Sequence, residues 1–118
     1  SVADAPVLAL VCAGKEGGFS LDDAYCAGLL IRELALILGE SGPGRIELND
    51  QSRAALALVD AFELDEAFLR RTAAGAALVD VGLGEDLAHV ARKNRVPLVP
   101  EMRDRIIRLF PPAPAGRD

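Results

Sequence analysis

The chain has 118 residues, half of them hydrophobic, with no Trp and a formal net charge of −5. That length builds one small domain burying roughly two-thirds of its unfolded surface, and the acidic balance argues against general nucleic-acid binding. Two cysteines are too few for a disulfide framework, and no basic n-region or A-x-A site marks a signal peptide. The longest apolar stretch, Ala24–Leu38, is interrupted by Arg32 and Glu33 and falls short of the ~18 residues of a membrane span. A cytoplasmic, reduced protein is the expectation.

After a short leader, Ser1–Ala5, the segment Val7–Cys12 is continuously apolar. Such a run predicts a strand with both faces covered. Ala13–Phe19 is a turn rich in glycine, with Gly14, Gly17 and Gly18 suited to positive φ and close backbone approach. A long helix then spans Leu21–Leu38, with Ser20 as N-cap, Asp23 as its capping-box partner and Gly39 as the C′ residue. The helix is apolar almost all round, which predicts burial on most sides. Gly28 in its interior costs up to ~1 kcal/mol against alanine, so close packing on another backbone is expected there.

Glu40–Glu47 reads as a loop. Asn49 or Asp50 caps a second helix, Gln51–Phe62, with Ala54, Ala55, Leu58 and Phe62 facing inward. Asp65 caps a third, Glu66–Ala73. A fourth covers Ala76–Val81 and stops at Gly82, and a fifth covers Asp86–Lys93. Strands Pro97–Met102 and Arg105–Leu109 form a hairpin about Arg103-Asp104, and a proline-rich tail follows from residue 111. The expected fold is α/β: a layered sheet flanked by helices, about three strands and four to five helices, in one domain over residues 1–110.

A strand, a glycine turn and a helix N-terminus together favour anions. The glycine turn nevertheless matches no standard phosphate loop. Lys15 comes too early for a Walker A loop, G-x-G-x-x-G is absent, and Gly18 stands where a cysteine-phosphatase loop carries arginine. Asp22 and Asp23 open the long helix, where carboxylates suit the dipole but repel a bare phosphate. A Mg²⁺ ion between them and the phosphate removes that conflict. Cys12 and Cys26 read as small buried hydrophobes, and Phe19 and Tyr25 as packing residues. His89 has no second histidine with which to build a zinc site. Arg92, Lys93, Arg95, Arg103, Arg105 and Arg108 read as a solvated basic face.

The stretch VCAGKEGGFSLDDAYCAGLL resembles the V-C-A-G-x-x-G-x-F-S-L-E-D…A-G signature of the 2-phosphosulfolactate phosphatase family. LNDQSRAALALVDAF and ALVDVGLGEDLAHVARKNRVPLVPEMRDRII are similar to later segments of that family, in order. The resemblance covers the family's C-terminal half and lacks its Thr-Asn-Gly-Thr motif. It implies a Mg²⁺-dependent α/β phosphatase releasing phosphate from 2-phospho-3-sulfolactate, a step in coenzyme M biosynthesis. It also implies a partner, either the N-terminal half or a second copy. Cys12, Gly14, Phe19, Ser20 and Asp23 match the first motif, and Asp22 stands where Glu is usual. Asp22 and Asp23 are expected to hold metal and act in catalysis, with Cys12, Gly14, Lys15, Phe19 and Ser20 around the phosphate. The family's later motif implies a polar residue, Cys and Asp where this chain has Ala74, Val90 and Asn94. A non-catalytic module of the same fold, binding an anion or a partner chain, is the alternative.

Overall fold

The structure is a computed structural model that describes residues 7–41 and 46–110. The expected leader, part of the first loop and the proline-rich tail lie outside the described residues. Five helices and one hairpin follow in order: α1 Leu21–Ser41, α2 Asp50–Ala61, α3 Glu66–Arg71, α4 Ala73–Asp80, α5 Asp86–Val90, then β1 Pro100–Arg103 and β2 Ile106–Leu109. The α/β class is as expected, with two strands among the described residues rather than about three.

The segment expected to be the buried strand differs most. Residues 7–12 form no strand and lie exposed, Val7 at 83% and Val11 at 91%. An apolar run becomes a central strand only where neighbouring strands satisfy its N–H and C=O groups and helices cover its faces. Among the described residues nothing supplies such neighbours.

Helix α1 runs to Ser41, so Gly39 lies inside it rather than capping it. It buries one face, through Tyr25, Gly28 and Ile31, rather than most sides; Leu30, Leu36 and Ile37 are about half exposed. Gly28 is the close approach to α2. A Cβ built there would overlap the Ala55 carbonyl oxygen and meet Val59 Cγ2 at 2.7 Å. The same pair of helices is joined by an Arg32–Asp60 ion pair and by Tyr25, whose hydroxyl donates to the Phe62 carbonyl oxygen at 3.0 Å. The buried face of α2 is Ala55 and Val59, with Leu58 and Phe62 half-buried; Ala54 is exposed. Asn49 is the N-cap, its side chain accepting from the Ser52 amide at 2.8 Å.

The core is small: Tyr25, Val59, Phe68, Leu69 and Leu87. Phe68 stacks tilted between Tyr25 and Phe62, with centroids 4.9 and 5.0 Å away. Asp65 caps α3 as expected, accepting from the Phe68 amide at 2.6 Å.

The chain then breaks at Thr72 instead of running on to Ala73. The Thr72 hydroxyl donates to the Leu69 carbonyl oxygen at 2.8 Å and accepts from the Gly75 amide at 3.0 Å. One buried side chain thus ends α3 and starts α4. Gly75 is obligatory beside it, because a Cβ there would overlap the Leu69 carbonyl oxygen. Thr72→Ala removes this cap and leaves the buried Gly75 amide without its hydroxyl acceptor, so it is expected to cost about 2 kcal/mol. Urea unfolding of the variant checks this through a lower midpoint at unchanged slope.

Helix α5 stops at Val90, short of the expected Lys93. In the hairpin the turn is Asp104-Arg105, not Arg103-Asp104. Both turn residues have positive φ, 51° and 62°, as a two-residue hairpin loop of the I′ kind requires. This register sets Pro100 opposite Leu109 and Met102 opposite Ile107 on one face. Glu101, Arg103, Ile106 and Arg108 take the other, where Arg103 pairs with Glu101 at 2.7 Å and lies 4.0 Å over the Phe110 ring. A shift by one residue would set Met102 against Arg105 and mix the two faces. Both strands are exposed throughout, so the apolar face is uncovered among the described residues.

Candidate active site

The glycine turn is a miniature hairpin. Lys15 and Gly18 exchange both backbone hydrogen bonds, at 2.9 and 3.1 Å, across Glu16 and Gly17. Both central residues have positive φ, 51° and 76°. Gly14 precedes it at φ 74°, and a Cβ there would run into the Gly18 carbonyl. The turn is therefore closed on itself rather than open around an anion.

It is fastened to the helix by Asp23. The Gly14 amide donates to Asp23 Oδ2 at 2.7 Å. Asp23 thus latches the turn instead of completing a capping box with Ser20. Ser20 is buried, and its hydroxyl donates to Asp22 Oδ1 at 2.6 Å. Each carboxylate spends one oxygen on a local donor. Gly14 and Ser20, expected around a phosphate, have these groups engaged by the carboxylates.

Asp22 and Asp23 border a cavity of about 240 Å³ between the start of α1 and helices α3, α4 and α5. Its walls include Cys26, Thr72, Ala74 and Val90. Two of the three positions that depart from the family pattern, Ala74 and Val90, therefore face the same cavity as the carboxylates. Asn94 lines an adjoining cleft, of which Val90 is also a wall. Cys12, Lys15 and Phe19 are not among the residues that border the carboxylate cavity; Phe19 is 77% exposed.

Both cysteines are exposed rather than buried. The Cys26 thiol is nevertheless held above its ordinary pKa, first by partial desolvation and then by the nearby Asp23, Cys12 and Asp22. Its thiolate is disfavoured, which suits a bystander more than a nucleophile. Alkylation of Cys26 by iodoacetamide is expected to reach its midpoint at a higher pH than that of an unstructured thiol, read by mass spectrometry.

For Mg²⁺ the donor chemistry is suitable but incomplete. The ion takes oxygen ligands and accepts one or two carboxylates, completing its shell with water and substrate phosphate. Asp22 and Asp23 each keep one oxygen outside the hydrogen bonds just described. Among the described residues no group of three or more His, Cys, Asp or Glu side chains is placed to hold a metal.

The model of the 2-phosphosulpholactate phosphatase family matches residues 2–105. The chain belongs to that family. It is 37% identical over 99 residues to a probable 2-phosphosulfolactate phosphatase of Thermus thermophilus, covering 84% of this chain and 39% of that protein. Proteins of the same description from a Synechococcus strain and from Deinococcus radiodurans are 38% and 34% identical. They cover 77% and 80% of this chain, and 36% and 37% of their own lengths. The chain thus spans under two-fifths of the curated relatives it matches. No solved structure matches significantly. Among the described residues no helix is long and apolar enough to cross a membrane.

Thr72 was not legible as a site residue. The signal was present in R-T-A-A-G, a good N-cap three residues before a glycine, but the apolar period carried the third helix past it. The contribution of Val90 from α5 is likewise visible only once α5 packs beside α3.

Proposed function

We propose that the chain is part of a Mg²⁺-dependent phosphatase acting on 2-phospho-3-sulfolactate, with Asp22 and Asp23 at the metal and phosphate. The carrying observation is that this carboxylate pair, fixed by Ser20 and Gly14, opens onto the cavity between α1 and α3–α5. The names of the relatives support the substrate. When bound, the metal would neutralise the phosphate oxygens beside the two carboxylates. The residues of this chain orient that charge: Gly14 fixes the Asp23 carboxylate, and Ser20 fixes that of Asp22. Phosphoryl transfer asks the protein mainly for positioning and charge stabilisation, and both are within the reach of so sparse a set.

The rest of the site comes from polypeptide corresponding to the family length that this chain does not span. That polypeptide covers the exposed residues 7–12 and the apolar hairpin face, in an interface above ~1,000 Å². The relatives' greater length supplies the material, and the uncovered apolar surface supplies the need. Phosphate release by the full-length gene product, from 2-phospho-3-sulfolactate against simple alkyl phosphates, tests the reading. Preference for the sulfonated ester is expected, and equal rates on all esters contradict the assigned substrate.

A further inference from the structure

Residues 7–12 form no strand, yet they carry the side-chain period of one. Leu8 and Leu10 are 42% and 38% exposed, against 83% and 91% for Val7 and Val11. Such alternation belongs to extended backbone, whose successive side chains point to opposite faces. Cys12 continues the even-numbered side, and it lies near enough to Cys26 of α1 for its charge to raise that thiol's pKa. Two residues on, the Gly14 amide is tied to Asp23 of the same helix at 2.7 Å. The even-numbered side of the segment is therefore the side toward α1, and Val7 and Val11 point away from it.

The backbone of the segment is uncommitted. Among the described residues no strand pairs with it, and the two hairpin strands pair only with each other. Backbone open along both edges, with apolar side chains on both faces, is what an interior strand of a covered sheet requires. Helix α1 is incomplete in a matching way. Cys26, Leu30 and Ile37 fall on one stripe at helical spacing, and all three are exposed. Cys12 lies near the Cys26 end of that stripe, and Leu30 and Ile37 remain half-exposed beyond it. We propose that residues 7–12 take an interior position in a sheet whose other strands come from the family length this chain does not span. The Cys26–Leu30–Ile37 stripe of α1 then covers one face of that sheet. Covering by side chains alone would hide Val7 and Val11 but leave both backbone edges open; strand pairing satisfies both needs. Only the origin of the added strands rests on the reading of this chain as part of a longer phosphatase, and the relatives, of which it spans under two-fifths, have the length to supply them. The segment runs straight into Gly14, whose amide holds Asp23, so the added strands also anchor that carboxylate.

Amide hydrogen exchange in the full-length gene product, resolved residue by residue by NMR, tests the pairing without any substitution. Successive N–H groups of an extended strand point to opposite edges. An interior strand therefore protects every amide from Leu8 to Cys12, and each is expected to exchange at least about a thousandfold more slowly than in an unstructured peptide. Protection of alternate amides only would mean a strand paired on one edge and overturns the interior position. Exchange at the unstructured rate throughout overturns the pairing. Protection that disappears on dilution to a monomer assigns the other strands to a second copy and overturns their origin. The α1 stripe is read by thiol labelling. Leu30→Cys is expected to react with a maleimide at least about tenfold more slowly than Gln51→Cys, placed at an exposed position on α2; equal rates overturn the cover by α1. Exchange is read without substrate or metal. Full protection in a protein that releases no phosphate thus upholds the sheet and counts only against the phosphatase reading.

Discussion

Gly28→Ala is expected to destabilise the protein by about 3 kcal/mol, the upper range for overpacking a core. Its sign runs against helix propensity, which favours alanine over glycine by up to ~1 kcal/mol. The reason is the neighbour. The added methyl would overlap the Ala55 carbonyl oxygen and sit 2.7 Å from both the Ala55 carbonyl carbon and Val59 Cγ2. Two of those three atoms are backbone, so α1 must move away from α2 as a unit, loosening the Tyr25 hydroxyl from the Phe62 carbonyl. For a domain of this size that loss lowers Tm by roughly 10 °C or more. Gly39→Ala is the internal control. It lies in the same helix with nothing within 4 Å of its added Cβ, and is expected to be neutral or slightly stabilising. Thermal melts of the two variants side by side check the contrast.

Asp23→Asn is expected to lower phosphate release by roughly a hundredfold, the scale seen when one charge-stabilising group is removed from a reaction centre. The fold should survive, because the asparagine carbonyl oxygen can still accept from the Gly14 amide that Asp23 Oδ2 now holds at 2.7 Å. The lost helix-dipole contribution is at most about 1 kcal/mol, small against typical domain stability. Asp23→Ala removes charge and latch together, so its melting temperature should fall as well. Phosphate assays and circular dichroism melts on both variants separate the electrostatic role of Asp23 from its structural one.

Local chemistry carried the sequence reading a long way. The start of α1, the Asn49 and Asp65 caps and the tight contact at Gly28 all follow from residue types that leave few alternatives. What failed did so for identifiable reasons. Residues 7–12 have the composition of a central strand, but a strand is a property of its neighbours, and these are not among the described residues. The hairpin turn lies one residue later than expected, because Arg103-Asp104 and Asp104-Arg105 are equally polar as turns. The pairing of Met102 with Ile107 and Pro100 with Leu109 decides between them.

At the site, spacing placed Asp22 and Asp23 together at a helix start. It did not foresee that Gly14 and Ser20 would serve the carboxylates. Arg92 and Arg95 are exposed, in keeping with a solvated basic face.

The central claim is that the Asp22–Asp23 pair works through a divalent cation. Its most direct test is phosphate release from 2-phospho-3-sulfolactate by the full-length gene product, stripped of metal with EDTA and then titrated with Mg²⁺. The account predicts negligible release without metal and recovery that saturates with added Mg²⁺. Undiminished release by the metal-free protein would contradict it and return the two carboxylates to fastening the glycine turn and holding the Ser20 hydroxyl.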